Sequence, residues 1–199
     1  MVKRLSELEF IFPVADEKSS DGEGAQPAAS GLLTRARLAE VFTRCAAPPV
    51  PRDYAGRIRD LGFSPLAGYL KGFVDLVFEH AGRWYVVDYK SNHLGPTPKD
   101  YEPQRLGRVM ADHHYFLQYH LYVVALHRYL TVRLPDYDYD RHFGGVFYLF
   151  LRGLSPVLPR GCGIFRDRPS RALIESLSAV CACPREGLRQ RPKYGEAMP

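Results

Sequence analysis

At 199 residues, 46% hydrophobic and 25% charged, the chain has the size and composition of one soluble globular domain, which excludes a fibrous or wholly disordered protein. Its formal net charge of +5 suits a polyanionic partner without requiring one. Four scattered cysteines, Cys45, Cys162, Cys181 and Cys183, complete no zinc pattern and argue against a disulfide scaffold. They point to a reduced, cytoplasmic protein. No leader-like apolar stretch follows Met1, and no apolar run approaches the ~20 residues of a membrane span.

In chain order, Leu8 to Val14 (LEFIFPV) reads as a short strand ending near Pro13, and Asp16 to Ser30 as a polar, Gly/Ser-rich loop. Leu32 to Cys45 predicts a helix with Leu33, Leu38, Val41 and Phe42 on one face, stopped by Pro48-Pro49-Val50-Pro51. Leu70 to Phe78 and Arg83 to Tyr89 are strand-like, rich in Val, Phe, Tyr and Trp.

Met110 to Leu130 predicts one long helix. Tyr115, Gln118, Tyr122, Ala125 and Tyr129 form one stripe, with Leu117, Leu121 and Val124 as the apolar stripe beside it. Its histidines His113, His114 and His120, with His127, read as solvated or satisfied in packing. The acidic-aromatic run Asp136 to Asp140 reads as a loop. Gly145 to Leu151 is a buried strand, Arg171 to Cys181 a helix, and Pro184 to Pro199 a polar tail.

The two central strands carry the chemistry. With Ala81 and Gly82 as a two-residue turn, His80 pairs with Arg83, Val77 faces Val86, Asp75 faces Asp88 and Phe73 faces Lys90. Directly opposed residues share a face with Cβ atoms ~5 Å apart. Asp75 and Asp88 then lie side by side, with Lys90 two residues further along the same face. Two carboxylates held together in apolar strands repel and are poorly solvated, a cost that a divalent cation reverses.

The run G-F-V-D-L-V-F, a turn, then W-Y-V-V-D-Y-K-S-N resembles the PD-(D/E)-x-K nuclease core in its RecB-type form. Asp75 matches the first acidic residue, and Asp88 with Lys90 the D-x-K unit. Gln118 and Tyr122 match the Q-x-x-x-Y motif, and the stretches Tyr137 to Val146 and Tyr148 to Gly153 are RecB-like too. A lone D-x-K is weak; this combination, in this order, is specific.

The resemblance implies an α/β, restriction-endonuclease-like core, a central mixed β-sheet flanked by helices. It implies one domain over residues 1–183, with a flexible tail at 184–199. Mg²⁺ is the implied cofactor, held by Asp75, Asp88 and the backbone carbonyl of Tyr89. Lys90 orients or deprotonates the attacking water or steadies developing charge. Gln118 and Tyr122 support the site or touch the DNA backbone. Glu7, of the E-L-E-F run, resembles the acidic residue that opens the core, with Glu9 as its competitor. Implied partners are DNA ends and single strands, with RecC and RecD subunits, in double-strand break repair and recombination.

RecB-type nucleases carry a metal-binding His on a helix before the first strand. The chain is expected to lack that helix, and none of His93, His113 and His114 takes its place. No G-x-x-x-x-G-K-[ST] motif for ATP occurs. A catalytically weak or inactive DNA-binding or assembly fragment is therefore the rival reading, and a poorly folding remnant a further one.

Overall fold

A computed structural model describes residues 4–14, 32–66 and 68–181. The expected loop at Asp16 to Ser30, the tail from Pro184 and Cys183 lie outside them. Among the described residues five strands form one mixed sheet in the order β1-β2-β3-β4-β5: β1 (Arg4–Val14), β2 (Gly68–His80), β3 (Arg83–Lys90), β4 (Phe143–Phe150) and β5 (Ile164–Asp167). Of these pairs β3–β4 is parallel and the others antiparallel. A parallel pair needs a crossover, and here it is helical. The helices are α1 (Arg35–Cys45), α2 (Tyr54–Arg59), α3 (Pro103–Asp112), α4 (Tyr115–Arg133), α5 (Tyr139–His142) and α6 (Arg171–Val180). The α/β mixed sheet agrees with the expected fold class.

The β2–β3 hairpin forms as its turn chemistry dictates. Ala81 and Gly82 both have positive φ, 51° and 75°, the signature of a type I′ turn, whose twist matches the flanking strands. His80 pairs with Arg83 and Val77 with Val86. Helix α1 starts at Arg35 rather than Leu32, because Thr34 caps it: Arg37 N donates to Thr34 Oγ1 at 3.2 Å. Leu33 instead bridges to Leu66, and Leu33, Leu38, Val41 and Phe42 are all buried.

The single helix expected over Met110 to Leu130 is two. Helix α3 ends at Asp112, and His114 sits in the left-handed region at φ 54° before α4 begins. Histidine is among the residues that tolerate this conformation, so periodicity gave no warning. The break re-aims the chain. Phe116, Tyr119, Val123, Leu126 and Leu130 of α4 are buried, while Leu117 and Leu121, expected in the apolar stripe, are only partly so. Facing them from the sheet are Val77, Val86, Val146, Tyr148 and Phe150, all fully buried. The elements α2 and β5 were not expected, and α5 occupies part of the expected acidic-aromatic loop. Strand β4 begins at Phe143. A Cβ on the next residue, Gly144, would lie 2.2 Å from the Tyr85 ring and force that ring to move.

His120 is fully buried in α4, stacked on Tyr119 with centroids 4.3 Å apart and met edge-on by Phe42 of α1. Its Nδ1 lies 2.6 Å from Phe116 O and so donates; Nε2 has no hydrogen-bond partner among the described residues. Burial pulls its pKa down to about 4, against the raising effect of the Phe116 bond. Between pH 6.5 and 4 the unfolded chain binds a proton here that the native chain refuses. Stability therefore rises with pH across that window and is lost as pH falls, by about 3 kcal/mol from this group. The His120→Leu variant is expected to lack that component. Urea unfolding of both chains from pH 7 to 4 checks it: their stability difference should change with pH, and parallel curves would contradict the assignment.

Candidate active site

The site lies where the β2–β3 hairpin stops behaving as a ladder. Backbone pairing runs from His80–Arg83 to Leu76–Val87. One step further brings Asp75 level with Asp88. There the Asp75 side chain replaces the ladder bond, Tyr89 N donating to Asp75 Oδ2 at 2.8 Å. The expected pairing of Phe73 with Lys90 does not continue the ladder. Phe73 is opposite Glu9 of β1 and 52% exposed, whereas Lys90 turns inward. The strand pattern shows why. Val74 and Val77 are both buried although three residues apart, so alternation breaks between them. On the neighbouring strand Glu7 has φ 52°, between the pairs Ser6–Leu76 and Leu8–Val74. The kink in β1 and the break in β2 coincide at Asp75.

Strand β3 buries Asp88, which is only 3% exposed, and places it opposite Tyr148 of β4, with Lys90 opposite Phe150. Lys90 Nζ is 2.7 Å from Asp88 Oδ2 and donates to Gln118 Oε1 of α4 at 3.0 Å. The Tyr148 hydroxyl donates to that same Gln118 oxygen at 2.9 Å. Nζ also lies 4.0 Å from the Tyr115 ring centroid and 5.1 Å from that of Tyr148. Tyr122, one turn after Gln118, is buried beside the carboxylates and packs edge-on against Phe10 of β1.

The charge balance is negative despite Lys90. Burial raises the Asp88 pKa above the ordinary carboxylate value; Lys90 opposes this and Asp75 adds to it. Burial first, then the fields of Asp88 and Asp75, push the Tyr122 phenol up to about 12. Burial and the same carboxylates raise Tyr148 as well. Asp88 Oδ2 is buried, and among the described residues the partner that faces it is the Lys90 ammonium at 2.7 Å. A buried carboxylate oxygen in this state has the character of a cation ligand.

Among the described residues no three His, Cys, Asp or Glu side chains converge on one point. The site therefore offers two carboxylates, with Tyr89 between Asp88 and Lys90. This donor set fits Mg²⁺, a hard cation held by one or two carboxylates while it keeps waters of its own. Glu7 lines a groove of about 440 Å³ together with Arg4, Ser6, Asp75, Leu76 and Tyr89. Its competitor Glu9 is held away in an ion pair with Lys71 at 2.5 Å.

The sequence profile of the PD-(D/E)XK nuclease superfamily matches residues 5–186. The chain belongs to that superfamily. Its curated relatives include RecBCD enzyme subunit RecB of Escherichia coli, 51% identical over 61% of this chain, and that of Haemophilus influenzae, 52% identical over 60%. The same subunit of Mycobacterium tuberculosis is 43% identical over 88% of this chain. The chain spans about 10% of the first two relatives' length and 16% of the third.

The sequence pattern did not single out Tyr148 as part of this site. Its role depends on strand order, because β4 reaches Asp88 only through a parallel pairing. Tyr115 was legible as a neighbour of Gln118, three residues before it on one helix face, but not as a ring against Lys90. His93, His113 and His114 contribute no ligand to a metal cluster among the described residues.

Proposed function

We propose that this PD-(D/E)XK chain is a Mg²⁺-dependent deoxyribonuclease unit of the exodeoxyribonuclease V type. It hydrolyses DNA phosphodiesters at ends being processed in double-strand break repair and recombination. The observation that carries this is Asp88: a buried carboxylate with a second carboxylate, Asp75, beside it and the Lys90 ammonium 2.7 Å from its Oδ2. Asp75 and Asp88, with the Tyr89 carbonyl, would hold the ion, which when bound supplies Lewis acidity and charge neutralisation at the phosphate.

Lys90 steadies charge that develops on the phosphate or orients the attacking water. Gln118 fixes Lys90, Tyr122 walls the site, and Glu7 flanks it from β1. The relatives' name, RecBCD enzyme subunit RecB, supports RecC and RecD as partners; linear ends and single strands as substrate and the bacterial cytoplasm as its place are part of the same proposal. No helix among the described residues is long and apolar enough to cross a membrane. The nuclease unit extends over residues 1–183.

A second reading, a weak or inactive DNA-binding or assembly module, is favoured by the meeting of only two carboxylates among the described residues. It predicts DNA binding without cleavage. Labelled linear single strands and covalently closed single-stranded circles, each incubated with the purified chain and Mg²⁺, separate the readings. End processing predicts that linear strands shorten and circles survive. Fragments from circles would show that cleavage does not require an end, and intact linear strands bound by the chain would favour the second reading.

A further inference from the structure

We propose that Tyr115 and Tyr148 are positioning residues that hold the Lys90 ammonium at one point beside Asp88. The inference rests on the nuclease reading above and deepens it. A lysine ammonium is a compact charge on a flexible four-carbon stem, so a working position has to be imposed on it. Here the stem is enclosed, its side chain 13% exposed, and the head meets two rings and two oxygens. The Tyr115 and Tyr148 rings stand with centroids 5.6 Å apart at 41° to each other, and Nζ lies 4.0 and 5.1 Å from those centroids. Both distances fall within the ~6 Å over which a ring face attracts a cation.

The choice of aromatic walls has a chemical consequence. A third carboxylate would hold the charge equally well but would occupy an N–H donor. Ring faces attract the charge without serving as strong acceptors. Of the three donors on Nζ, Gln118 Oε1 takes one and Asp88 Oδ2 a second, leaving the third for the reacting centre.

Two outer contacts lock the walls. The Tyr148 hydroxyl donates to Gln118 Oε1 at 2.9 Å, so that oxygen is turned toward Nζ by a second donor. The Tyr115 hydroxyl donates to Asn92 Oδ1 at 3.1 Å, tying the ring to the segment that follows Lys90. Tyr148 is fully buried, whereas Tyr115 is half-buried at the start of α4 and can be changed with least damage to the core.

The test compares the parent with Tyr115→Leu and Tyr115→Phe in Mg²⁺-dependent cleavage of linear single-stranded DNA. Alongside it, NMR follows the Lys90 ε-methylene protons, assigned with Lys90→Arg. Tyr115→Leu is expected to lower kcat about tenfold with KM within about twofold. Tyr115→Phe, which keeps the ring, should stay within about twofold of the parent. The ε-methylene signal should lie upfield in the parent and the Phe variant and return to an ordinary lysine position in the Leu variant. Parental kcat in Tyr115→Leu, or equal losses in both variants, would overturn the proposal. A parent that does not cut would fail the nuclease reading instead. The NMR signal then decides alone: an upfield Lys90 resonance lost only in Tyr115→Leu supports the aromatic walls, and an unshifted one overturns them.

Discussion

Asp88→Asn should lower DNA cleavage on the order of 10³-fold while melting at a higher temperature than the parent. The loss follows from removing the charge of a carboxylate assigned to the cation. The gain follows from the cost of burying that charge. The native pKa of Asp88 is raised, chiefly by burial. A carboxylate raised in this way reduces stability at neutral pH, and the penalty is relieved as pH falls through its folded pKa. The amide has nearly the same shape and carries no charge. Lys90 is not stranded by the change, since Gln118 Oε1 and the two tyrosine rings remain around it. Thermal melts without divalent cation, together with cleavage rates, check both halves. A variant that cuts within tenfold of the parent would remove Asp88 from the site. A fall in melting temperature would make its ion pair with Lys90 a structural bond rather than a functional strain.

Lys90→Ala should lower kcat by about 10²- to 10³-fold and leave Mg²⁺ binding in place, measured as the cation's stabilisation of the fold. Lys90→Arg should not restore the rate. The planar guanidinium is larger than an ammonium and presents its donors in a fixed fork. The space between the Tyr115 and Tyr148 rings and Gln118 is shaped around a single nitrogen. Recovery by arginine to near the parental rate would show that only positive charge matters at this position. Loss of Mg²⁺ stabilisation in Lys90→Ala would show that the lysine orders the carboxylates rather than acting on the phosphate.

The central hairpin was legible because two local signals agree: Ala81-Gly82 suits a two-residue turn, and the β-rich runs on either side fix the pairing from it. That register carried Asp75 and Asp88 to the same level, and the backbone ladder supports it as far as Leu76–Val87. What lies beyond was not legible. The alternation break at Val74–Val77 and the positive φ of Glu7 are responses to sheet geometry, and neither has a glycine to announce it. The helix break at His114 was hidden for a similar reason, since no glycine or proline marks it and His114 itself takes the left-handed conformation. Strand β5 has four residues, too few for a period-2 pattern to stand out. The parallel pairing of β3 with β4 unites residues sixty apart, Asp88 and Tyr148, and no local pattern encodes such a contact. The motif residues could thus be named in advance, while the walls around Lys90 required the fold.

The most direct measurement is cleavage of end-labelled linear single-stranded DNA by the purified chain, with Mg²⁺ and with EDTA, beside Asp88→Ala. Cutting that needs Mg²⁺, stops with EDTA and is absent from a folded Asp88→Ala chain is the predicted result. Cutting that persists in EDTA or in the variant, or no cutting by a folded parent, would contradict it.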